Sequence, residues 1–330
     1  MAGGTNQVID AELAQVRQRL VGIEGVKLEA AVRELVRVAV FVTEQKQVTI
    51  HLMFPENYPH QPIVVELKSK SLSFKLLDGL CKMCDEEARK HVGQRQVVLM
   101  VMFVKTFLQE NPLCVCNEEI SYIKRNLVSS DDKVILKQKT SQIVIKVKQG
   151  SYFMNLRITV PDDYPFHQVQ CEIEDCNFPA LLKTFFQAQA IELSRQCVQP
   201  PLKRKPKDPP FQPKPSLRPL CEFLIRDCCK RYPKEACQLC KDNVLSEDPE
   251  APTREPKKRL ERVYCGHLFH TGCLNTYMKT PPFIGGKKCP GCGCQIFHEK
   301  WKVSPELAEA RWAHKQARQR ELAEVVDFLE

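Results

Sequence analysis

One short segment of the chain alternates strictly between apolar and polar side chains. In "VTIHLMF", residues 48–54, every second position is apolar: Val48, Ile50, Leu52 and Phe54. Successive side chains of a β-strand point to opposite faces, so this period of two predicts a strand with one buried face. The prolines that follow lack the amide hydrogen that a sheet needs, and they predict that the strand ends there.

The same pattern returns 106 positions further along the chain. Residues 154–160 again alternate, "FPENYP" (54–59) aligns with "VPDDYP" (160–165), and "VEL" (65–67) aligns with "CEI" (171–173). Matching phase, turn chemistry and following strand together predict an internal duplication.

Helical patterns complete each copy. The first copy has helical stretches near 8–20, 71–92 and 95–110, and the second has them near 112–127, 180–196 and 217–233. Between the last two stretches, residues 200–219 contain eight prolines. Such a segment has little apolar surface to bury, so we predict that residues 200–215 are a mobile loop inserted in the second copy.

The turn and its surrounding elements resemble a known family. A helix, a strand meander, closing helices and an "FPxxYPxxP" turn are similar to the RWD domain, on the residues Phe54, Pro55, Tyr58, Pro59 and Pro62. The resemblance covers residues 5–112 and 113–233, although Gln168 and Val169 stand where the second copy would have its third proline. It implies two α+β domains whose fold is related to ubiquitin-conjugating enzymes.

Neither copy has the sequence of an active conjugating enzyme. Such enzymes carry a His-Pro-Asn tripeptide before the catalytic cysteine, and none follows Tyr58 or Tyr164. Cys171 and Cys176 fall on a predicted strand and its end, with no neighbouring base to activate a thiol. We therefore expect no catalytic residue in these copies and interpret the two tyrosines as turn-packing residues.

Composition places the protein among ordinary soluble proteins. Its residues are 43% hydrophobic and 27% charged, and its formal charge is +9. The apolar run at 97–104 is too short to span a bilayer, and no secretory signal is visible, so we expect a cytoplasmic protein without a membrane partner. The basic runs "KRKPK" (203–207) and "REPKKRLER" (254–262) fit solvated loops or a nuclear import signal. Because no aromatic residues are interleaved with them, we do not expect nucleic acid as a partner.

The chain has seventeen cysteines, ten of which fall in residues 221–294. In a reducing compartment such a cluster favours metal binding over disulfides. Two other groups, Cys81 with Cys84 and Cys114 with Cys116, have no accompanying histidine, and we interpret them as core thiols.

Four pairs of metal-binding residues follow one another in this region. They are Cys237 with Cys240, Cys265 with His267, His270 with Cys273, and Cys289 with Cys292. Eight thiol and imidazole donors fill two tetrahedral zinc sites. The second pair is expected on an extended strand and the third at the start of a helix, which favours two different ions. One ion bound by both central pairs, or another paired-zinc module such as a PHD-like one, also fits the spacing.

The ligand order is similar to a RING finger with two central histidines. That resemblance implies cross-braced sites over residues 234–302, with two structural zinc ions. Their ligands would be Cys237, Cys240, His270 and Cys273 for the first ion, and Cys265, His267, Cys289 and Cys292 for the second. Cys294 is an alternative ligand in place of Cys292. A helix is predicted over 303–330 by Ser304, Pro305 and the helix formers that follow.

The resemblance also implies contacts with a ubiquitin-conjugating enzyme. Leu239, Tyr277 and Pro290 match the positions of the apolar patch through which RING ubiquitin ligases bind that enzyme. Gly293 stands where many active members have a basic residue that contacts ubiquitin.

These resemblances predict a RING-type ubiquitin ligase with two RWD domains, an order similar to that of the Fanconi-anaemia ubiquitin ligase and of single-RWD RING ligases. Its partners would be a conjugating enzyme, ubiquitin and a protein substrate or assembly bound through the RWD domains. Two alternatives stay open: a non-catalytic adaptor stabilised by zinc, and a zinc protein that binds nucleic acid through its basic loops.

Overall fold

The computed structural model describes residues 2–201, 209–297 and 304–329. Two compact units divide the chain. The first unit contains Met1–Lys146, Asn155–Glu174 and Gln187–Phe223, and the second contains Val147–Met154, Asp175–Phe186 and Leu224–Glu330.

The helices and strands run along the chain in three parts. The first part of the chain has α1 (Ala2–Arg19), β1 (Val26–Ala31), β2 (Val36–Thr43), β3 (Lys46–Met53), β4 (Val64–Lys68), α2 (Phe74–Lys90) and α3 (Val97–Glu110). The middle part has α4 (Asn117–Tyr122), β5 (Lys133–Lys137), β6 (Gln142–Gln149), β7 (Tyr152–Thr159), β8 (Gln170–Cys176), α5 (Ala180–Val198) and α6 (Leu217–Cys221). The last part has α7 (Ala251–Arg254), β9 (Leu260–Arg262), β10 (Leu268–His270), α8 (Thr271–Met278) and α9 (Pro305–Leu329).

The first sheet is an antiparallel meander in the order β1-β2-β3-β4. Its core face carries the apolar side chains of Val36, Val38 and Val40 in β2 and of Val48, Ile50 and Leu52 in β3, and these pack with buried residues of α1, α2 and α3. The core includes Cys84 and Cys114, with Cys81 partly buried against it. Burial raises the pKa of Cys84 to about 12. These thiols behave as small apolar side chains.

A second four-stranded sheet has the matching order β5-β6-β7-β8. Residues 48–67 and 154–173 therefore both form a strand, a turn and a second strand. The Tyr–Pro bond of each turn is cis.

Buried hydrogen bonds connect the first turn to α1 and α3. The Tyr58 hydroxyl donates to a Glu12 carboxylate oxygen at 2.5 Å and accepts from the Gln96 backbone N–H at 2.9 Å. The other Glu12 oxygen accepts from the Val97 backbone N–H at 2.8 Å. Tyr58 thus does more than pack the turn, because it fixes α1 and the start of α3 to the same point.

Equivalent bonds join the turn of the second sheet to α4 and α6. They run from the Tyr164 hydroxyl to Glu119 (2.5 Å), from Leu217 N–H to Tyr164 (3.2 Å), and from Arg218 N–H to Glu119 (2.8 Å). Burial raises the pKa of Glu119, as it does that of Glu12. Helix α6 therefore takes the place in the second copy that α3 takes in the first.

The inserted segment lies between α5 and α6. Residues 209–216 form no regular secondary structure, and the Lys214 N–H donates to the Cys197 carbonyl. The rest of the predicted loop, 202–208 with its basic run "KRKPK", lies outside the described residues.

Two predicted helices are less regular than the pattern indicated. The stretch 112–127 begins with a 3₁₀ turn at Pro112–Cys116 and ends with a π-helical turn at Ile123–Leu127. The stretch 217–233 continues from α6 into a π-helical segment, Glu222–Lys230. Pro112 has no N–H to continue the hydrogen bonds of α3, so α3 ends at Glu110, and a short 3₁₀ turn of the kind common at helix ends follows.

Within the described ranges, no single helix is both long and apolar enough to cross a membrane. One pair bent by 76°, Val97–Glu110 with Pro112–Leu127, meets the length and composition criteria together, and much of its apolar surface is buried in the protein.

An aromatic cluster dominates the core of the second unit. Ring centroids lie 5.0 Å apart for Tyr152 and Phe178, 5.6 Å apart for Phe178 and Phe186, and 5.1 Å apart for Phe186 and Tyr232. The Tyr152 hydroxyl also donates to the Ser246 carbonyl at 2.9 Å. The end of the second sheet therefore belongs to the same compact unit as the cysteine-rich region.

Candidate metal centre

The first and the last cysteine pairs along the chain each lie in a short turn, and the two turns have similar geometry. In the first, Cys237 N–H donates to the Asp242 carbonyl at 2.8 Å, and Lys241 N–H donates to the Cys237 carbonyl at 2.9 Å. A single β-bridge, Ala236↔Asn243, closes this turn. The turn needs a left-handed residue directly after the second cysteine, and Lys241 takes that conformation with φ +68°.

The second turn repeats these bonds. Cys289 N–H donates to the Cys294 carbonyl at 2.7 Å, and Gly293 N–H donates to the Cys289 carbonyl at 2.8 Å. The bridge Lys288↔Gln295 closes it, and Gly293 has φ +72°. Gly293 therefore occupies the left-handed position that Lys241 occupies in the first turn, which gives glycine a conformational reason to be there.

The central pairs lie on a small hairpin and a helix. Strands β9 and β10 pair antiparallel, and the turn between them contains Cys265 and His267. The prediction of an extended strand for this pair was wrong, because Gly266 with φ +89° reverses the chain between them. His270 ends β10 and Cys273 lies in the first turn of α8, as expected.

The fold brings the eight residues together in two groups of four. The first group is Cys237, Cys240, His270 and Cys273, and the second is Cys265, His267, Cys289 and Cys292. Within each group the sulfur and nitrogen atoms lie within 4.8 Å of one another. Each group combines three thiols with one imidazole, a donor set that suits tetrahedral zinc. The clusters are compatible with zinc binding.

Both histidines turn the same ring nitrogen toward the thiols. His270 Nδ1 lies 3.3 Å from Cys240 Sγ and 3.8 Å from Cys273 Sγ, and His267 Nδ1 lies 3.4 Å from Cys265 Sγ. His270 Nε2 lies 3.1 Å from the Asn243 carbonyl. That carbonyl accepts the Nε2 proton, which leaves the Nδ1 lone pair free for a metal.

A backbone amide favours the thiolate form of Cys292 in the second group. The Cys294 N–H, with smaller contributions from neighbouring thiols, lowers the pKa of Cys292 to about 7. Thiolate is the form that binds metal. Cys292 belongs to the second group of four. Cys294, the alternative ligand, is exposed and lies outside that group.

Close packing around His267 requires a glycine at position 291. A Cβ atom at Gly291 would lie 2.8 Å from the His267 ring and 3.3 Å from the Gln238 side chain. Sequence reasoning missed this residue, because the "CPGC" spacing does not show which side chain lies against the glycine.

The three residues predicted to contact a conjugating enzyme differ in exposure and bonding. Pro290 is exposed and Leu239 is half-buried, and each lies inside one of the two cysteine turns. Tyr277 donates from its hydroxyl to the Lys288 carbonyl at 2.7 Å, and its ring lies 4.6 Å from Lys287 Nζ. Tyr277 therefore also holds the module together. Sequence reasoning missed Lys287, whose buried ammonium donates to the Thr280 carbonyl at 2.5 Å.

Two family models match the chain. The RWD domain model matches residues 9–108, and the model described as a C3HC4-type zinc finger (RING finger) matches residues 237–292. The second match runs from the first ligand to the eighth, with His270 at a position where the C3HC4 pattern has cysteine. No curated protein matches the chain.

The chain therefore contains an RWD domain, at residues 9–108, followed by a C3HC4-type RING finger, at residues 237–292. The predictions of an RWD domain in the first third and of a RING finger near the C-terminal end are confirmed. An RWD domain together with a RING finger fits a protein of the ubiquitin pathway.

Proposed function

We propose that the protein is a RING-type ubiquitin ligase, which positions a ubiquitin-loaded conjugating enzyme so that ubiquitin passes to a substrate lysine. The interleaving of the two ligand groups supports the proposal most. The first group takes the first and third pairs along the chain, and the second takes the second and fourth. We propose that the two groups bind two structural zinc ions in the cross-braced arrangement of RING fingers.

The zinc ions would fix the two cysteine turns, because a module of this size has too little core to fold without such links. Leu239 and Pro290, one in each turn, would then form a single apolar patch for the conjugating enzyme. No residue of this chain forms a thioester in the proposed reaction. Its contribution is to hold the charged enzyme and the acceptor lysine in reactive orientation.

The domains built on the two four-stranded sheets would recruit the substrate or a larger assembly. We propose that residues 113–233 form a second RWD domain. The shared strand order supports this, as does the recurrence of the buried tyrosine–glutamate bond in Tyr58–Glu12 and Tyr164–Glu119. Burial raises the pKa of the Cys171 thiol to about 12, which disfavours the thiolate that a conjugating enzyme needs.

The ligase proposal is tested with Leu239→Ala. The zinc-loaded protein is incubated with activating enzyme, ubiquitin and a panel of conjugating enzymes, and loss of the enzyme–ubiquitin thioester is followed in the presence of free lysine. Loss of an apolar contact in the patch should slow the reaction about tenfold or more. Zinc content and melting temperature should stay near those of the wild type, because a partly exposed side chain contributes little to folding.

Leu322→Ala provides the matched control. Leu322 is an exposed leucine of α9, far from the ligands in sequence, and its loss should leave the rate unchanged. Equal rates for Leu239→Ala and the wild type would contradict the docking patch. If the wild type accelerated the reaction of no conjugating enzyme, the adaptor would be the better description.

The adaptor alternative has one observation in its favour. Gly293 has no side chain to contact ubiquitin, and its φ of +72° gives it a role in the turn instead. An adaptor would keep the zinc module as a binding surface only. Binding of a conjugating enzyme without acceleration of ubiquitin transfer would distinguish it from a ligase.

A further inference from the structure

The first compact unit contains an open cleft of about 690 Å³. The end of the β2–β3 hairpin forms one wall, and residues 139–141 and 159–162 form the other. Residues that determine its chemistry are Val42, Thr43, Lys46, Lys139, Val160 and Asp162. None of them belongs to the zinc-ligand region.

Lys46 is a cation on the core face of the first sheet. Strand β3 buries every second residue, and Lys46 is the first of that series, followed by Val48 and Ile50. Its side chain is only 4% exposed. Removing an ammonium group from water is costly unless an anion or several hydrogen bonds replace the water.

The protein supplies a weak counter-ion for this lysine. Asp162 Oδ1 lies 3.5 Å from Lys46 Nζ, whereas strong ammonium–carboxylate hydrogen bonds are about 2.7–2.9 Å long. The Asp162 side chain is 83% exposed, so water and salt screen its charge. The thiol of Cys114 provides no charge, because burial raises its pKa to about 11.

Thr43 places a second hydrogen-bonding group beside Lys46. The two residues are direct cross-strand partners at the end of the hairpin, so their side chains lie on the same face of the sheet. The Thr43 hydroxyl oxygen is buried and, within the described part of the chain, has no hydrogen-bond partner. An ammonium and a hydroxyl that face the same cleft form a site for an anionic oxygen.

The chemistry of the cleft favours a peptide carboxylate as that anion. The group already nearest to Lys46 is a carboxylate on a peptide segment, Asp162 in "VPDDYP". Apolar walls from Val42 and Val160, combined with a few polar groups, are typical of sites that bind a ligand in one orientation. The volume suits a segment of a few residues.

We propose that this cleft binds an acidic peptide segment of a partner protein, whose aspartate or glutamate carboxylate displaces Asp162, pairs with Lys46 and accepts from Thr43. Lys139, exposed on the opposite wall, adds a second positive charge at the entrance. The site is independent of the zinc module and would give the RWD region a means to recognise acidic segments.

The test uses the full-length, zinc-loaded protein and a pool of hexapeptides that each contain one glutamate between apolar residues. Binding is measured by saturation-transfer difference NMR and by calorimetry, against a matched pool with glutamine. We expect the glutamate peptides to bind about tenfold more tightly, as for a hydrogen bond to a charged group.

Substitutions of Lys46 and of Asp162 should change the affinity for the glutamate peptides in opposite directions. Lys46→Met keeps the length of the side chain and should abolish the preference for glutamate. Asp162→Asn removes the internal competitor and should raise the affinity about threefold to tenfold. Matched controls are Lys68→Met and Asp163→Asn, which change charge outside the cleft and should leave the affinity unchanged.

Thr43→Val covers the case in which Lys46→Met fails to fold. It replaces an unpaired hydroxyl by a methyl group. We therefore expect an unchanged melting temperature and a lower affinity for the glutamate peptides.

Equal binding of both pools, or binding unaffected by Lys46→Met and Thr43→Val, would overturn the proposal. Binding of inorganic phosphate in preference to the peptides would overturn the peptide assignment. A fall in melting temperature for Lys46→Met, together with no peptide binding by the wild type, would show that Lys46 only ties the hairpin to Asp162.

Discussion

A single buried hydroxyl joins three elements of the first sheet's domain. Tyr58→Phe removes the donor to Glu12 Oε2 and the acceptor for the Gln96 N–H, while the bond from the Val97 N–H to Glu12 Oε1 remains. Leaving buried polar groups unsatisfied costs about 1–3 kcal/mol. We expect the free energy of unfolding of this domain to fall by about that amount, measured by urea denaturation.

Tyr264→Phe is the control for this prediction, since Tyr264 is 84% exposed and its hydroxyl faces solvent. It should change the stability by less than about 0.5 kcal/mol. If the two substitutions had the same effect, the bond between Tyr58 and Glu12 would contribute nothing beyond packing.

Gly291 shows how a residue with no side chain determines the position of a ligand. Gly291→Ala would place a methyl group 2.8 Å from the His267 ring, so the ring or the turn must move. We expect weaker zinc binding by the group that contains His267, measured by competition with a chromogenic chelator, and a lower melting temperature.

Substitution of alanine for Gly79 should change the stability in the opposite direction. Gly79 lies in α2, and a Cβ atom there meets nothing within 4 Å. Alanine is better than glycine in a helix by about 1 kcal/mol, so Gly79→Ala should raise the stability. Normal zinc affinity in Gly291→Ala would contradict the close contact with His267.

At the scale of elements, the two cysteine turns are built alike but differ at one position. Lys241 and Gly293 both take left-handed conformations after the second cysteine of their pairs. Nothing lies within 4 Å of a Cβ atom at Gly293, so a larger side chain fits and only the backbone conformation opposes it. Lys241 demonstrates that a lysine is accommodated in this conformation.

We therefore expect Gly293→Arg to keep both zinc ions and to lose about 1 kcal/mol of stability. In the ligase proposal the added guanidinium contacts ubiquitin, so thioester discharge should become faster. Gly293→Ala imposes a similar backbone cost without the charge and should not accelerate the reaction. Acceleration by both variants would attribute the effect to the turn rather than to the charge.

At the scale of the whole molecule, the two compact units should respond differently to loss of metal. The core formed by the first sheet and its helices consists of apolar residues, and none of its described residues belongs to a zinc-ligand group. The second unit combines the zinc-ligand groups with the aromatic cluster of Tyr152, Phe178, Phe186 and Tyr232.

The zinc-loaded protein should contain two zinc ions per chain, measured by elemental analysis. After chelation, hydrogen exchange should become fast in β9, β10 and α8 and should stay slow in β2 and β3, because structural zinc supplies much of the folding free energy of a small module. Intermediate acceleration is expected in Tyr152–Met154, which contributes to the aromatic cluster. One zinc per chain, or equally fast exchange in β2 and β3, would contradict this picture.

Local periodicity in the sequence determined much of the architecture. The alternation at 48–54 and 154–160 predicts strands because the side-chain period of two is a property of the strand itself. The spacing of the four ligand pairs likewise predicts a two-metal module, since each pair is close enough in sequence for a turn or a helix to bring it together. The family models match the first of the two RWD resemblances, at 9–108, and the RING resemblance, at 237–292.

Only the tertiary structure decided which distant residues meet. Glu12 lies 46 residues from Tyr58, and the sequence interpretation of Tyr58 as a packing residue could not find its partner. Lys46 follows the polar turn of a hairpin, yet strand register places its side chain on the buried face of β3, because a shift of one residue exchanges the two faces of a strand. The grouping of Cys265 with Cys289 depends in the same way on how the hairpin and the last turn pack together. Periodicity specifies each element alone, whereas register and packing between elements decide which charges and ligands become neighbours.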